Sequence, residues 1–321
     1  MPELPEVETI ARGLASRVSG DVIESVWLGQ KPEPLKSPAR EIAATLEHSR
    51  IATVRRMGKH IVFDLEPNRV VRAPSPAKAR GAHSPGTTSE KTRSGSTKSK
   101  GTRSPLTNKA SADKPVPLAP TTPAQAQWIV HLGMSGRLQV CEPQSEILKH
   151  THAILKLASG RELRFVDPRR FGRLSVSHSF EAGGIEPLEA GLDPFLALFR
   201  GRKTPIKSAL LNQKLLRGVG NIYADESLFR AGIRPRRRAS TLTRDQLARL
   251  LASVKEVLRE AIALGGSSIS DYVDADGEEG FFQLKHRVYG REAEPCLLCK
   301  KPIKRIVIAG RSSHYCSTCQ K

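Results

Sequence analysis

The thiols carry the most specific chemistry in this chain. Four of the five cysteines fall in the pattern Cys296-x2-Cys299-x16-Cys316-x2-Cys319, and two paired thiols at that separation fit a four-thiolate structural zinc site. Disulfides, disfavoured in a reducing compartment, and chance core cysteines are the competing readings. Four protein ligands close the tetrahedron and leave no position for an activated water, so the predicted zinc holds a fold and performs no chemistry. Cys141 is left over and reads as a small buried hydrophobe.

The elements that must carry such a site change character near residue 190. Before it the apolar residues suggest strands at 51–54, 61–65, 128–132, 152–157, 161–166 and 172–177. After it the period is helical. Ile206 to Leu216, the turn Gly218-Val219-Gly220 and Asn221 to Ala231 read as helix, tight turn, helix. Amides at such a turn can meet a DNA phosphate, but the same arrangement also simply packs two helices. Thr243 to Gln246 fits a capping box, and Leu247, Leu250, Leu251, Val254, Val257, Leu258 and Ala261 follow at helical spacing until Gly265-Gly266 stops them.

The chain has 321 residues, 52 Lys+Arg against 32 Asp+Glu and a formal net charge of +20. Such an excess is the electrostatic footprint of a nucleic-acid binder and excludes an acidic, polyanion-like protein. No apolar run is long enough for a membrane span, and the N-terminus, with Glu3, Glu6 and Glu8, lacks a signal-peptide pattern, so a soluble cytoplasmic protein is expected. Residues 72–127 hold ten Lys/Arg, two acids, eight Pro, eight Ser and eight Thr, and read as a disordered basic insert within the β region. They account for +8 of the charge, which leaves +12 on the rest of the chain.

MPELPEVET at 1–9, RRMGKH at 55–60, HLGMSGRL at 131–138, DPRRFGRL at 167–174, GVGNIYADESLFRAGI at 218–233 and the final cysteine pairs closely resemble, in the same order, the bacterial formamidopyrimidine-DNA glycosylases. The resemblance covers nearly the whole chain apart from 72–127. It implies an α+β multidomain fold: an N-terminal β-sandwich with flanking helices (1–187), a helix–two-turn–helix domain (188–266), a lesion-recognition loop and linker (267–286) and a C-terminal zinc finger (287–321). It implies an enzyme that removes 8-oxoguanine and formamidopyrimidines from duplex DNA and nicks the abasic strand, acting as a monomer with one structural zinc. The DNA partner would carry oxidised purines or abasic sites.

The resemblance also assigns roles. Pro2, once Met1 is trimmed, is a secondary amine that attacks C1′ of the damaged nucleotide; if Met1 stayed on, that nitrogen would be an amide. Glu3 matches the general acid, against a plain reading as a helix-start carboxylate that suits Glu6 and Glu8 better. Lys59 matches the lysine that contacts phosphate and donates the proton in β-elimination. Arg311 matches the arginine that holds phosphate and assists δ-elimination. Asn221 matches a phosphate-binding asparagine, with a helix N-cap as the competing reading. His131, His150 and Arg202 align with further backbone contacts. Met134, Arg169 and Phe171 match the triad that fills the hole left by a flipped base, Arg169 pairing with the orphaned cytosine.

The segment 267–291 corresponds to the lesion-recognition loop, and its Gly277 and Gly280 are consistent with a mobile lid. Three other readings stand beside this one. Endonuclease VIII, for oxidised pyrimidines, carries Gly at the position of Leu4 and leaves Met134, Arg169 and Phe171 unexplained. A non-catalytic zinc-containing DNA-binding protein would lack a covalent intermediate on Pro2. A generic RNA binder finds little support in an aromatic content of 5%.

Overall fold

The computed structural model describes residues 1–31, 33–67, 126–268 and 279–321. The insert expected at 72–127 lies outside them as far as residue 125. Its last two residues belong instead to a strand, since Ala126 and Gln127 pair with Leu65 and Asp64.

The N-terminal half is a sandwich of two four-stranded antiparallel sheets. Strands β1 (Ile23–Leu28), β6 (Thr151–Leu157), β7 (Glu162–Val166) and β5 (Arg137–Cys141) form one sheet in that order. Strands β2 (Ser49–Met57), β3 (His60–Pro67), β4 (Ala126–His131) and β8 (Arg173–Ser177) form the other. In β3, Ile61, Phe63 and Leu65 enter the core at two-residue spacing, and Val62 between them is buried as well. Helix α1 (Leu4–Val18) adds Val7, Ile10, Ala11, Leu14 and Val18 to that core at helical spacing, and α2 (Ala39–Leu46) adds Ile42 and Leu46.

Two strands, β1 and β5, have no counterpart in the sequence reading. Both are edge strands, half wetted and mixed in composition, so their periodicity is weak. Cys141 ends β5 and is only partly buried, which corrects the expectation of a core position.

The second half is helical: α3 (Leu192–Phe199), α4 (Ile206–Leu210), α5 (Asn221–Arg230) and α6 (Arg244–Ala263) enclose a core that includes Phe195, Phe199, Leu210, Tyr223, Leu228, Leu250 and Val254. The capping box of α6 is formed in both directions between Thr243 and Gln246. Helix α4 stops six residues short of the expected Leu216. The Asn212 side chain accepts from Lys214 N–H at 3.0 Å while its carbonyl takes the N–H of Leu215 and Leu216, a local turn that competes with the helix.

The C-terminal residues form the hairpin β9 (Lys304–Ile308) and β10 (Arg311–Tyr315). Its two-residue turn, Ala309-Gly310, has both φ values positive (46° and 73°), the geometry that matches strand twist in a tight hairpin.

Candidate active site

Glu3 caps helix α1 and is held from both sides of the molecule. Its own N–H donates to Glu6 Oε2 at 2.8 Å, and its Oε1 accepts the Ile222 N–H at the start of α5 at 3.3 Å. Its Oε2 is buried and has no hydrogen-bond partner among the described residues. The fit to α5 depends on Gly220, where a Cβ would lie 2.1 Å from the Glu3 carboxyl carbon. The adjoining backbone is fixed by Leu4 N–H donating to Gly218 O at 3.0 Å.

This packing sets the electrostatics. Burial, aided by Glu6, pushes the Glu3 carboxyl up to about 7 against the opposing pull of Lys59 and the Ile222 N–H. Burial lowers the Lys59 ammonium, and Arg311 lowers it further, while Glu3 and Glu6 oppose. Burial also lowers the terminal amine, with Lys59 and Arg169 acting in the same direction against Glu3 and Glu6. The amino terminus, Glu3, Lys59 and Arg311 therefore form one electrostatic cluster contributed by three distant stretches of sequence. Pro2 is buried, and Met1 and Lys59 line a cavity of about 350 Å³ with His60 and His131.

Lys59 is the second residue of the turn between β2 and β3, behind Gly58 at φ 62°. Arg311 opens β10 and is exposed. The hairpin that carries it docks on the helical core through a buried ion pair: Lys207 Nζ sits 2.6 Å from Asp225 Oδ1 and donates to Ser312 O at 2.6 Å. Asp225 Oδ2 accepts the His314 N–H at 2.8 Å. Asn221 is the first residue of α5, and Gly220 is its N-cap, so the N-cap reading of Asn221 is corrected. Its Nδ2 donates to Ser312 Oγ at 3.3 Å and its buried Oδ1 has no partner among the described residues.

Met134 and Phe171 project from two loops at the end of the sandwich, 42% and 53% exposed, and the Arg169 guanidinium lies 5.2 Å from the Phe171 ring centre. Exposed apolar side chains next to an arginine suit insertion into a base stack. The loops touch through Gly133, where a Cβ would meet Phe171 and Gly172 backbone at 2.5 Å. Asp167, fully buried, ties them together: it accepts Ser135 Oγ–H at 2.6 Å, Gly172 N–H at 2.7 Å and Arg169 N–H at 3.2 Å.

His131 faces the cavity beside Lys59. Its Nδ1 accepts the Gly133 N–H at 3.0 Å, and burial, with His60, Arg173 and Lys59, brings it down to about 4, so it is a neutral ring whose remaining nitrogen is a donor. His150 is exposed on the loop before β6 at φ 73°. Arg202 follows α3 and its guanidinium bonds Leu198 O at 2.5 Å. Neither contacts the Glu3 cluster through any described hydrogen bond or ion pair.

The base of the 267–291 segment is a closed joint. Phe281 and Phe282 N–H donate to Leu264 O and Gly266 O at 2.8 and 2.9 Å, and a Cβ on Gly280 would lie 2.4 Å from Gly266 O. Gly280 therefore serves close backbone packing at the base of the segment; Gly277 lies outside the described residues. Glu6, assigned above to helix-start electrostatics, also accepts Ser267 N–H at 2.8 Å and the Tyr223 hydroxyl. Asp167, Asp225 and Glu6 sit inside motifs quoted above, yet only their tertiary partners reveal their work. Lys207 carries no sequence signal, since a lysine on a short amphipathic helix reads as solvated.

The four thiols lie within 4.8 Å of one another, with Cys299–Cys316 and Cys296–Cys319 sulfur separations of 3.4 and 3.9 Å. A tetrahedron with Zn–S bonds of about 2.3 Å has edges of about 3.8 Å, so these residues fit one structural zinc ion. Glu226 joins the finger's approach to α5, accepting the N–H groups of Arg287, Val288 and Tyr289 at 3.0, 2.9 and 2.9 Å.

Comparison with known proteins agrees with this geometry. The model of the formamidopyrimidine-DNA glycosylase N-terminal domain matches residues 1–80 and 105–174, that of the same enzyme's H2TH domain matches 184–273, and a zinc finger found in FPG and IleRS matches 293–321. Formamidopyrimidine-DNA glycosylases of Solibacter usitatus and Gluconobacter oxydans are each 38% identical over the full length of both chains. The MutM (FPG) protein of Thermus thermophilus superposes with a TM-score of 0.73 at 35% identity, over 99% of this chain and 98% of that one. Lactococcus lactis Fpg, in complex with DNA containing an abasic site, superposes at 0.74 and 27% identity over 99% of both. With full-length relatives and the same three modules in the same order, the chain belongs to the formamidopyrimidine-DNA glycosylase family.

Proposed function

We propose that this chain is a base-excision repair enzyme that removes 8-oxoguanine and formamidopyrimidines from duplex DNA and nicks the abasic strand by β,δ-elimination through a Schiff base on Pro2. The observation that carries the reading is the cluster of amino terminus, Glu3, Lys59 and Arg311, in which Glu3 is pushed up to about 7 and can hold a proton at neutral pH. Lactococcus lactis Fpg has been solved with DNA containing Fapy-dG and with abasic DNA, which supports the same substrate class here.

With Met1 removed, the Pro2 nitrogen uses its lone pair to bond C1′ as the C1′–base bond breaks, and the departing base takes a proton. Glu3 supplies a proton to the sugar ring oxygen or the leaving group from its otherwise unpartnered Oε2. The C1′–O4′ bond then opens as the ring oxygen takes a proton and the amine gives its own up to solvent, which leaves an iminium that stays charged and acidifies the C2′ hydrogen. A solvent base takes that hydrogen as the 3′ phosphate departs, with Lys59 as proton donor to the leaving group. A second elimination expels the 5′ phosphate, with Arg311 holding it. Met134 and Phe171 fill and wedge the stack, Arg169 reads the widowed cytosine, and Asn221, His131, His150 and Arg202 bind phosphates. The zinc ion holds the hairpin that presents Arg311.

The reading includes a monomer working in the cytoplasm, built from 1–187, 188–266, 267–286 and 287–321 as catalytic sandwich, helix–two-turn–helix domain, lesion loop and linker, and finger. No helix among the described residues is long and apolar enough to cross a membrane. Borohydride reduction on a duplex with 8-oxoguanine opposite cytosine, followed by peptide mass spectrometry, tests the proposal. A reduced adduct on Pro2 is the expected result. Zinc-loaded protein that binds the duplex and forms no adduct would instead be a recognition module.

A further inference from the structure

Behind the β2–β3 turn lies a buried charge network that the reaction scheme does not use. Arg56, 7% exposed, makes a two-point contact with Glu186 (Nη1–Oε2 3.1 Å, Nη2–Oε1 3.0 Å) and bonds Glu8 Oε2 through Nε at 2.7 Å. Arg217 Nε reaches the same Glu186 Oε2 at 3.2 Å. Arg12 Nε also reaches Glu8 Oε1 at 2.7 Å, so two carboxylates are shared among three guanidiniums, with Glu186, 8% exposed, at the hub. A desolvated fork of this kind has one preferred geometry and transmits position well.

What it grips is the turn that presents Lys59. Arg56 Nη1 donates to Gly58 O at 3.3 Å, and Gly58 lies so close to Arg217 that an added Cβ would stand 3.3 Å from the Arg217 Cβ. Arg217 Nη1 donates to Ala182 O at 3.2 Å, and the Ala182 N–H meets Met57 Sδ at 3.0 Å. Both residues before Lys59 are therefore clamped. The far side of the clamp leads to the amino terminus, because Arg217 N–H bonds Ile185 O at 3.1 Å and the next residue, Gly218, accepts Leu4 N–H at 3.0 Å.

We propose that Glu186 is a positioning residue for Lys59: by holding Arg56 and Arg217 together it fixes the Met57–Lys59 turn against the strand of chain that seats the amino terminus, and so sets the distance between the lyase proton donor and the nucleophile. Glu186 touches neither substrate nor reacting atoms. The inference rests on the assignment of Lys59 to β-elimination made above.

The test uses the full-length zinc-loaded protein on a duplex with one preformed abasic site, measuring borohydride-trapped adduct and single-turnover β-elimination separately, with Glu186→Gln, Glu186→Asp and Arg217→Ala variants. Glu186→Gln should slow elimination by about tenfold to a hundredfold, the usual cost of misplacing a catalytic group by about an ångström, while trapped adduct stays within about twofold of wild type. Glu186→Asp, which keeps the charge, should recover part of the rate. Arg217→Ala should show the same split more weakly, and it carries the test if Glu186→Gln does not fold. Equal loss of trapping and elimination, or no loss of either, would overturn the role of Glu186. Absence of any adduct with the wild-type protein would overturn the catalytic reading itself.

Discussion

Burial of the Glu3 carboxyl costs stability, and under the proposed mechanism it serves chemistry. Its folded-state value of about 7 lies above the ordinary 4.5, so the native state favours the protonated form. Below about pH 4.5 the group is neutral in both states and costs nothing. Between 4.5 and 7 the unfolded chain ionises first, and the penalty grows; above 7 it is constant. A shift of this size corresponds to about 3 kcal/mol at its upper limit. Glu3→Gln should therefore raise Tm at pH 8 and have little effect near pH 4, as calorimetry across that range will show. The same substitution should lower base excision by at least about a hundredfold, because the amide holds no transferable proton. In the wild type, single-turnover excision should fall as pH rises through about 7, as the acid is lost. A rate flat from pH 6 to 9 would remove Glu3 from that role.

At the level of elements, the four thiols and helix α5 cooperate to deliver one arginine. The Lys207–Asp225 pair, the Asn221–Ser312 bond and the N–H groups collected by Glu226 anchor the hairpin and its approach to α5. Zinc closes the other end. Stripping the metal with a chelator should release the hairpin, leave the sandwich's far-UV signature in place, and weaken binding to abasic duplex by at least about tenfold, with strand nicking lost. Asp167 plays the equivalent part for the two loops that carry Met134 and Phe171. Asp167→Asn replaces a three-donor acceptor by a group that can accept at only one atom, a cost of about 1–3 kcal/mol for the stranded N–H. It should lower Tm and reduce the preference for 8-oxoguanine opposite cytosine over adenine, measured as the ratio of excision rates.

These elements also mark how far sequence reading reaches. The α6 cap, the other six sandwich strands and the cysteine quartet carry local signals: a capping box, runs of apolar residues and fixed spacing. The edge strands β1 and β5 and the early end of α4 do not, because half-wetted strands lose alternation and an Asn turn competes silently with a helix. At the site, Pro2, Glu3, Lys59 and Arg311 were reached by resemblance, since nothing local distinguishes them from surface residues. Lys207 and Glu186, and Asp167 behind the loops of Met134 and Arg169, each also bind a residue at least 32 positions away, Ser312, Arg56 and Ser135 respectively, and become visible only in three dimensions.

For the whole molecule, charge is the property to weigh. The chain carries +20, of which 72–127 supplies +8, so the remainder keeps a clear positive excess for duplex binding without it. Among the described residues, the site draws on positions before 68 and after 125, and strands β3 and β4 pair up to Leu65 and Ala126. Deleting residues 72–123 should leave the hairpin its pairing and leave Pro2 trapping on 8-oxoguanine unchanged. What should change is affinity for undamaged duplex. Each phosphate neutralised contributes about 0.9 to the slope of log K against log salt, so ten lysines and arginines brought near DNA can steepen it by several units. Binding of the two proteins to undamaged duplex, followed from about 50 to 200 mM salt, should give a shallower line for the deletion, with the curves converging as salt rises. Parallel lines would mean that those ten charges do not meet the DNA, and a changed ratio of 8-oxoguanine to formamidopyrimidine excision would mean that the segment reaches the lesion site.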